Sequence, residues 1–283
     1  MVTIAQALQQ AASHFVSVSA SSQLDAQLLL AKVLTVDRSY FIAWPNKRLS
    51  EEQYVAFQCY VKRRAQGEPV AYIMGEKEFW GLPLTVTSDT LIPRPDTELL
   101  VELTLNKLPS DKTNKAMVLD VGTGSGAIAL ALAYERPQWQ LWGLDNSTGA
   151  LSIAEKNRQR LSLDNVRFIQ SDWFSALEQQ PHYDAIVSNP PYIAASDPHL
   201  KALAHEPLSA LVAENKGLLS LFELIESAHH YLKSGGWLLL EHGYDQKQAI
   251  QTHLEKQTHY SAIATHNDLG ANPRVTVAMK RNG

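Results

Sequence analysis

Met117-Val118-Leu119-Asp120-Val121-Gly122-Thr123-Gly124-Ser125-Gly126-Ala127 runs a short apolar stretch directly into three glycines spaced two apart. Residues 127–134 then read as an apolar helix. A strand that enters such a turn ahead of a helix folds back tightly. It also lets a ligand approach the helix N-terminus, which is a general nucleotide-binding device. With Ala127 in the last position the stretch also satisfies the relaxed dinucleotide pattern, so a nicotinamide-dependent dehydrogenase stays open at this point.

Outward from that turn the pattern repeats. Residues 141–144 read as a strand and 151–161 as a helix, and further strands are expected at 166–169, 185–188 and 237–240. Apolar strands alternating with helices predict a mostly parallel sheet covered on both faces. Residues 260–265 and 275–279 are joined by a polar loop too short for a crossover helix, so they are expected to pair antiparallel at the sheet edge. Asp145 ends the second strand, where a carboxylate suits two ribose hydroxyls, and Asp172-Trp173 follows the third, an acid and an indole suited to an adenine.

Ser188-Asn189-Pro190-Pro191-Tyr192 closes the fourth strand. Each residue before a proline is pushed to extended backbone, so the loop is stiff. Stiffness fixes two acceptors, the Asn189 side-chain carbonyl and the Pro190 main-chain carbonyl, which suit a planar –NH2 group with two donors. Tyr192 offers a flat ring to the same group.

Residues 1–67 read as helices only. Ile4, Leu8 and Phe15 recur at helical spacing after Thr3, Ser22 with Asp25 forms a capping-box-like start, and Ser50 with Gln53 repeats that signal until Gly67. Short amphipathic helices bury their faces only together, which predicts a small bundle whose natural work is to grip a partner. Residues 68–90 are aromatic and β-branched with interspersed glycine, including Tyr72-Ile73-Met74-Gly75 and Phe79-Trp80-Gly81, and read as a β-hairpin linker. Pro93-Arg94-Pro95 enforces an extended entry to residues 91–283, with Asp96 or Thr97 expected to cap the helix that follows.

The 283 residues carry a net charge of −4 and one cysteine. The part before residue 80 is near neutral and the rest acidic, so a basic nucleic-acid footprint is missing. Cys59 forms no intrachain disulfide or multi-thiolate zinc site, and a small buried residue is expected there. Lys62-Arg63-Arg64 reads as a solvated helix end. His229-His230, adjacent on a helix, are expected to face apart, and no metal-ligand spacing occurs. No basic leader or membrane-length apolar run is present, and a soluble, cytoplasmic, membrane-free protein, taken as a monomer, is the expectation.

Together the glycine-rich turn, Asp145 and Asn189 to Tyr192 resemble a class I S-adenosylmethionine-dependent methyltransferase acting on an amide or exocyclic amine nitrogen. More narrowly, the chain resembles the PrmC/HemK family of peptide chain release factor glutamine N5-methyltransferases over nearly its whole length. The resemblance rests on Glu68-Pro69 with Tyr72-Ile73 and Gly75, Glu78-Phe79, Leu91-Ile92-Pro93-Arg94-Pro95-Asp96-Thr97-Glu98, and Asn189 to Tyr192. Glu206-Pro207 with Ala210-Leu211, and Leu240-Glu241-His242-Gly243, extend it.

The resemblance implies an α/β, Rossmann-like, seven-stranded sheet with an antiparallel edge strand, preceded by the helical bundle and hairpin. It implies S-adenosylmethionine as cofactor, S-adenosylhomocysteine as product, and the glutamine of a Gly-Gly-Gln loop in class I release factors as acceptor. Gly122, Thr123, Gly124, Ser125, Gly126, Asp145, Trp173 and Asn189 would contact the cofactor, joined by Asp172 on the residue-level argument. Asn189, Pro190, Pro191 and Tyr192 would take the glutamine, and Arg94 and Glu98 would lie near. The sequence departs from the family pattern in a shortened stretch before Glu206, in His205 and in Pro273. An adenine N6-methyltransferase acting on nucleic acid is the alternative, since a flipped adenine offers the same two donors. A non-catalytic binding module would leave the cofactor edge unexplained.

Overall fold

A computed structural model describes residues 2–109 and 115–282, which fall into two compact units divided between Glu76 and Lys77. The first holds α1 (Ile4–Phe15), α2 (Ser22–Leu34), α3 (Ser39–Ala43), α4 (Glu51–Ala65) and α5 (Val70–Met74). The capping box expected at Ser50 with Gln53 forms, and a second one, at Thr3 with Gln6, starts α1. Ile4, Leu8, Phe15, Leu29, Leu30, Phe57 and Val61 form the core of this unit.

Several local expectations give way here. The box at Ser22 and Asp25 does not form: Ser21 precedes the helix without a side-chain cap, and Asp25 is buried against Arg64, whose Nε donates to its Oδ2 at 2.8 Å. The basic run is therefore not simply solvated. Arg64 also donates to the carbonyls of Val18, Gly67 and Glu68, while Arg63 pairs with Glu68. Cys59 is exposed rather than buried, because Phe57 and Val61 supply the inward face of α4.

Residues 70–74, taken as part of a hairpin, are a helical turn. Tyr72 and Ile73 are buried, Gly75 closes the turn at φ 71°, and Lys32 Nζ donates to the Met74 carbonyl at 2.6 Å. One-sided burial outweighs the β-branched and aromatic preference of so short a segment. The hairpin itself is shorter than residues 68–90: β1 (Glu76–Phe79) and β2 (Leu82–Thr85), joined at Trp80 and Gly81. Both turn residues have positive φ, the two-residue hairpin turn that matches strand twist.

The second unit continues with a 3-10 turn at Pro95–Thr97 and α6 (Glu98–Lys107), neither with the side-chain cap expected from Asp96 or Thr97. Then come β3 (Met117–Val121), α7 (Ala127–Glu135), β4 (Gln140–Asp145), α8 (Thr148–Arg160), β5 (Val166–Gln170) and β6 (Tyr183–Ser188). The short α9 (Glu214–Gly217), α10 (Leu219–Ala228), β7 (Leu232–Glu241), α11 (Lys247–Lys256), β8 (Tyr260–Asn267) and β9 (Pro273–Lys280) complete it. The sheet order is β5-β4-β3-β6-β7-β9-β8. Neighbours from β5 to β7 pair in parallel, and β9 runs antiparallel to both β7 and β8, so six of the seven strands share one direction.

The expected α/β, seven-stranded Rossmann-like architecture is thus present. β9 inserts between β7 and β8, so β8 forms the edge. His229 and His230 lie just past the end of α10 rather than within it, and their rings approach to 3.9 Å instead of facing apart. The strand order reverses between β3 and β6, and at that switch point the carboxyl ends of the strands leave a crevice.

Candidate active site

The turn after β3 is built by its glycines. Gly122, Gly124 and Gly126 all have positive φ, and the amides of Gly122 and Thr123 both donate to the Leu144 carbonyl at 2.8 Å. A Cβ on Gly122 or Gly124 would meet nothing within 4 Å, so this backbone is bare toward the cleft. Gly126 is different. A Cβ there would come within 2.9 Å of Leu130 Cδ1 and 3.1 Å of Phe168 Cζ, which places the residue under helix-to-sheet packing.

Thr123, Ser125 and Gly126 do not line the cavity; they hold the turn. Thr123 Oγ1 donates to buried Asp120 at 2.6 Å, and the Ser125 carbonyl accepts from Asn157, which also pairs with both backbone groups of Thr85. Burial pushes the Asp120 carboxyl up to about 7, against the opposing bonds from Thr123 and the Ala129 amide.

Gly122, Gly124, Asp145, Asp172, Trp173 and Asn189 come together around one cavity, which Asp89, Leu91 and Asn146 also line. Asp145 accepts from the Gly124 amide at 2.8 Å through Oδ2 and from the Ser147 amide at 2.9 Å through Oδ1. Burial raises its pKa while these amides lower it. The Asn146 amide acts on it as well, and three donors on a carboxylate with about four lone-pair sites leave room for one more.

A second, narrower cavity is lined by Leu91, Arg94, Asn189, Pro190, Tyr192, Ile193 and Leu203. Asn189 therefore lines both. Its Nδ2 donates to the Thr97 hydroxyl at 3.1 Å, which leaves Oδ1 to accept. Tyr192 is fixed at both ends: its hydroxyl donates to Glu241 Oε1 at 3.2 Å, and its carbonyl accepts from Gln246 Nε2 at 2.9 Å.

Arg94 and Glu98 take distinct places. Arg94 pairs with buried Glu206, whose other oxygen accepts from the Ile92 amide at 3.0 Å. Glu98 accepts from the Trp80 amide at 2.9 Å, outside both cavities, and so holds the hairpin. Thr97, Glu241 and Gln246 were not singled out from sequence as site residues. Glu241 ends an apolar strand at the same sheet edge as Asp145, and that signal could have found it.

Among the described residues no group of three His, Cys, Asp or Glu is arranged to hold a metal ion. A doubly wound sheet with its cavity at the switch point, a glycine-rich first turn and a rigid amide-bearing loop defines the methyltransferase class. Residues 112–280 match the methyltransferase domain, and residues 6–75 the PrmC N-terminal domain. A methyltransferase of known structure from Pyrococcus furiosus shares the fold at 19% identity, with a TM-score of 0.53 over 71% of this chain and 90% of that one.

The chain belongs to the release factor glutamine methyltransferase family. The member from Coxiella burnetii is 46% identical over 280 residues, covering 99% of this chain and 100% of that protein. The member from Shewanella oneidensis is 48% identical over 276 residues, covering 97% and 95%.

Proposed function

We propose that the chain transfers a methyl group from S-adenosylmethionine to the side-chain N5 of the glutamine in the Gly-Gly-Gln loop of class I release factors. The observation that carries this is Asn189, shared by a nucleoside-sized cleft and a narrow pocket, with its amide turned to leave the carbonyl free. The bare backbone at Gly122 and Gly124 and the carboxylate of Asp145 fit an adenosine moiety, with Asp172 and Trp173 beside the base. When bound, that cofactor supplies an electrophilic sulfonium methyl.

The chain's own residues do the rest. A carboxamide nitrogen is a poor nucleophile, because its lone pair is delocalised into its carbonyl. Asn189 Oδ1 and the Pro190 carbonyl hold its two N–H groups, aim the nitrogen and stabilise the positive charge that develops on it. Tyr192 closes the pocket around the planar amide, whereas Pro191, expected beside the glutamine, lines the cofactor cavity instead. The nitrogen's proton becomes acidic only after transfer, so no strong base is required beforehand.

The helical unit is assigned to recognition of the release factor, residues 77–283 to catalysis, and the protein to the cytoplasm as a monomer without nucleic-acid partners. None of the described helices is long and apolar enough to cross a membrane. The test is transfer of labelled methyl from S-adenosylmethionine to a purified release factor, to the same factor with its loop glutamine replaced, and to DNA. Label on the intact factor alone is expected. Label on DNA would favour the adenine reading instead.

A further inference from the structure

Glu241 is buried at the end of β7, and among the described residues it forms no ion pair. Oε1 accepts from Tyr192, whereas Oε2 has no partner of ordinary hydrogen-bond geometry. Beside it stands Thr97, also buried, whose oxygen accepts from Asn189. The Thr97 hydroxyl is one of the groups that draws the Glu241 carboxyl down. A carboxylate oxygen without a further partner and the hydroxyl that acts on that carboxylate thus lie together next to the site.

This arrangement decides the sense of an amide. A hydroxyl can accept from an –NH2 or donate to a C=O, so a Thr–Asn contact by itself permits either face of the Asn. An ionised carboxylate only accepts. With Glu241 ionised, the Thr97 proton is committed to it, the Thr97 lone pairs face Asn189, and only the –NH2 edge of Asn189 can meet them.

We propose that Glu241, acting through Thr97, sets the amide sense of Asn189 so that Oδ1 rather than Nδ2 faces the acceptor nitrogen. Both are positioning residues for the methyl transfer proposed above, and the inference rests on that reading. With Asn189 reversed, its N–H groups would meet the N–H groups of the substrate amide, and only the Pro190 carbonyl would remain to aim the nitrogen.

The charged and titratable groups facing Glu241 are Tyr192 from the loop after β6, Arg274 on β9 and Asp96 in the turn before α6. Arg274 is shared with Asp268, and His242, the chain neighbour, is occupied with Thr276 through Nε2. Burial, the largest influence, pushes Glu241 up to about 7; Thr97, Arg274 and Tyr192 oppose it, and Asp96 adds to it. The ionised form is the working one, so kcat rises with pH through about 7 and levels above. Below that, a protonated Glu241 can donate to Thr97 and release the amide.

The test uses the full chain with Glu241→Gln, Thr97→Val and Thr97→Ser, measuring methyl transfer to a release factor, its pH profile, and calorimetric binding of S-adenosylhomocysteine. Glu241→Gln and Thr97→Val should each lose about 100-fold, mainly in kcat, as when one preorganised contact to a transition state is removed. S-adenosylhomocysteine affinity should stay within about twofold, Thr97→Ser should keep most of the rate, and the rising limb near neutrality should vanish in Glu241→Gln.

A near-normal kcat in either Glu241→Gln or Thr97→Val, a loss shared by Thr97→Ser, a limb that persists in Glu241→Gln, or a parallel loss of S-adenosylhomocysteine binding would overturn the proposal. Failure of the unaltered chain to methylate the factor would instead remove the functional reading beneath it.

Discussion

Asn189 is the residue on which the proposed chemistry turns, because it lines both cavities and its Nδ2 is engaged by Thr97, which leaves Oδ1 for the proposed acceptor nitrogen. Asn189→Ala should lower kcat by about 100-fold or more while leaving S-adenosylhomocysteine affinity within about threefold. Steady-state rates and calorimetry on the same preparation check this; near-normal turnover would sink the assignment. Tyr192→Phe keeps the ring and should be milder than Tyr192→Ala, yet it is not silent. The lost hydroxyl donates to Glu241 and draws its carboxyl down, so the rising limb of the rate profile should move to higher pH in Tyr192→Phe. Asn189 was legible in sequence because two prolines and an aromatic follow it at a strand end. Thr97 was not, since a threonine before a helix reads first as a cap, and only the fold brings it to Asn189 across 92 positions of chain.

At the scale of elements, the glycine turn separates packing from ligand access. Gly126→Ala would strain a φ of +83° and drive a methyl into Leu130 and Phe168, and should destabilise the protein by about 2 kcal/mol in denaturant unfolding. Gly122→Ala meets only the φ penalty of about 1 kcal/mol, and should be read instead in weakened cofactor binding. In the helical unit the buried pair of Asp25 and Arg64 ties α2 to α4. Asp25→Ala leaves that guanidinium with carbonyl partners alone and should cost about 3 kcal/mol.

The strands and helices around the first turn were legible because their apolar runs are long and their breaks sharp. Residues 70–74 were not. Five residues are too few for periodicity to speak, and burial of Tyr72 and Ile73 settled a contest that propensity had favoured the other way. Asp25 likewise looked like a helix-start residue until a basic side chain 39 positions away claimed it.

At the scale of the whole molecule, two compact units divide the work as proposed. Every residue lining the two cavities lies between Asp89 and Ser220, inside the second unit. A chain of residues 77–283 should therefore bind S-adenosylhomocysteine with affinity close to that of the full chain, while its KM for a release factor should rise at least about tenfold; an unchanged KM would remove the helical unit from substrate recognition. The parallel sheet and its antiparallel pair were legible from alternation and loop length. The insertion of β9 between β7 and β8 was not, because local patterns carry no strand order. The net charge of −4 fits a protein acceptor better than a nucleic-acid one, and the route to the acceptor is where a direct measurement bears hardest.

That measurement is mass spectrometry of a release factor after incubation with the enzyme and S-adenosylmethionine, with fragmentation across the Gly-Gly-Gln loop. The account predicts the mass of one methyl group on the glutamine side-chain nitrogen and on no other residue. A methyl on the backbone or on another side chain, or an unmodified loop glutamine, would contradict it.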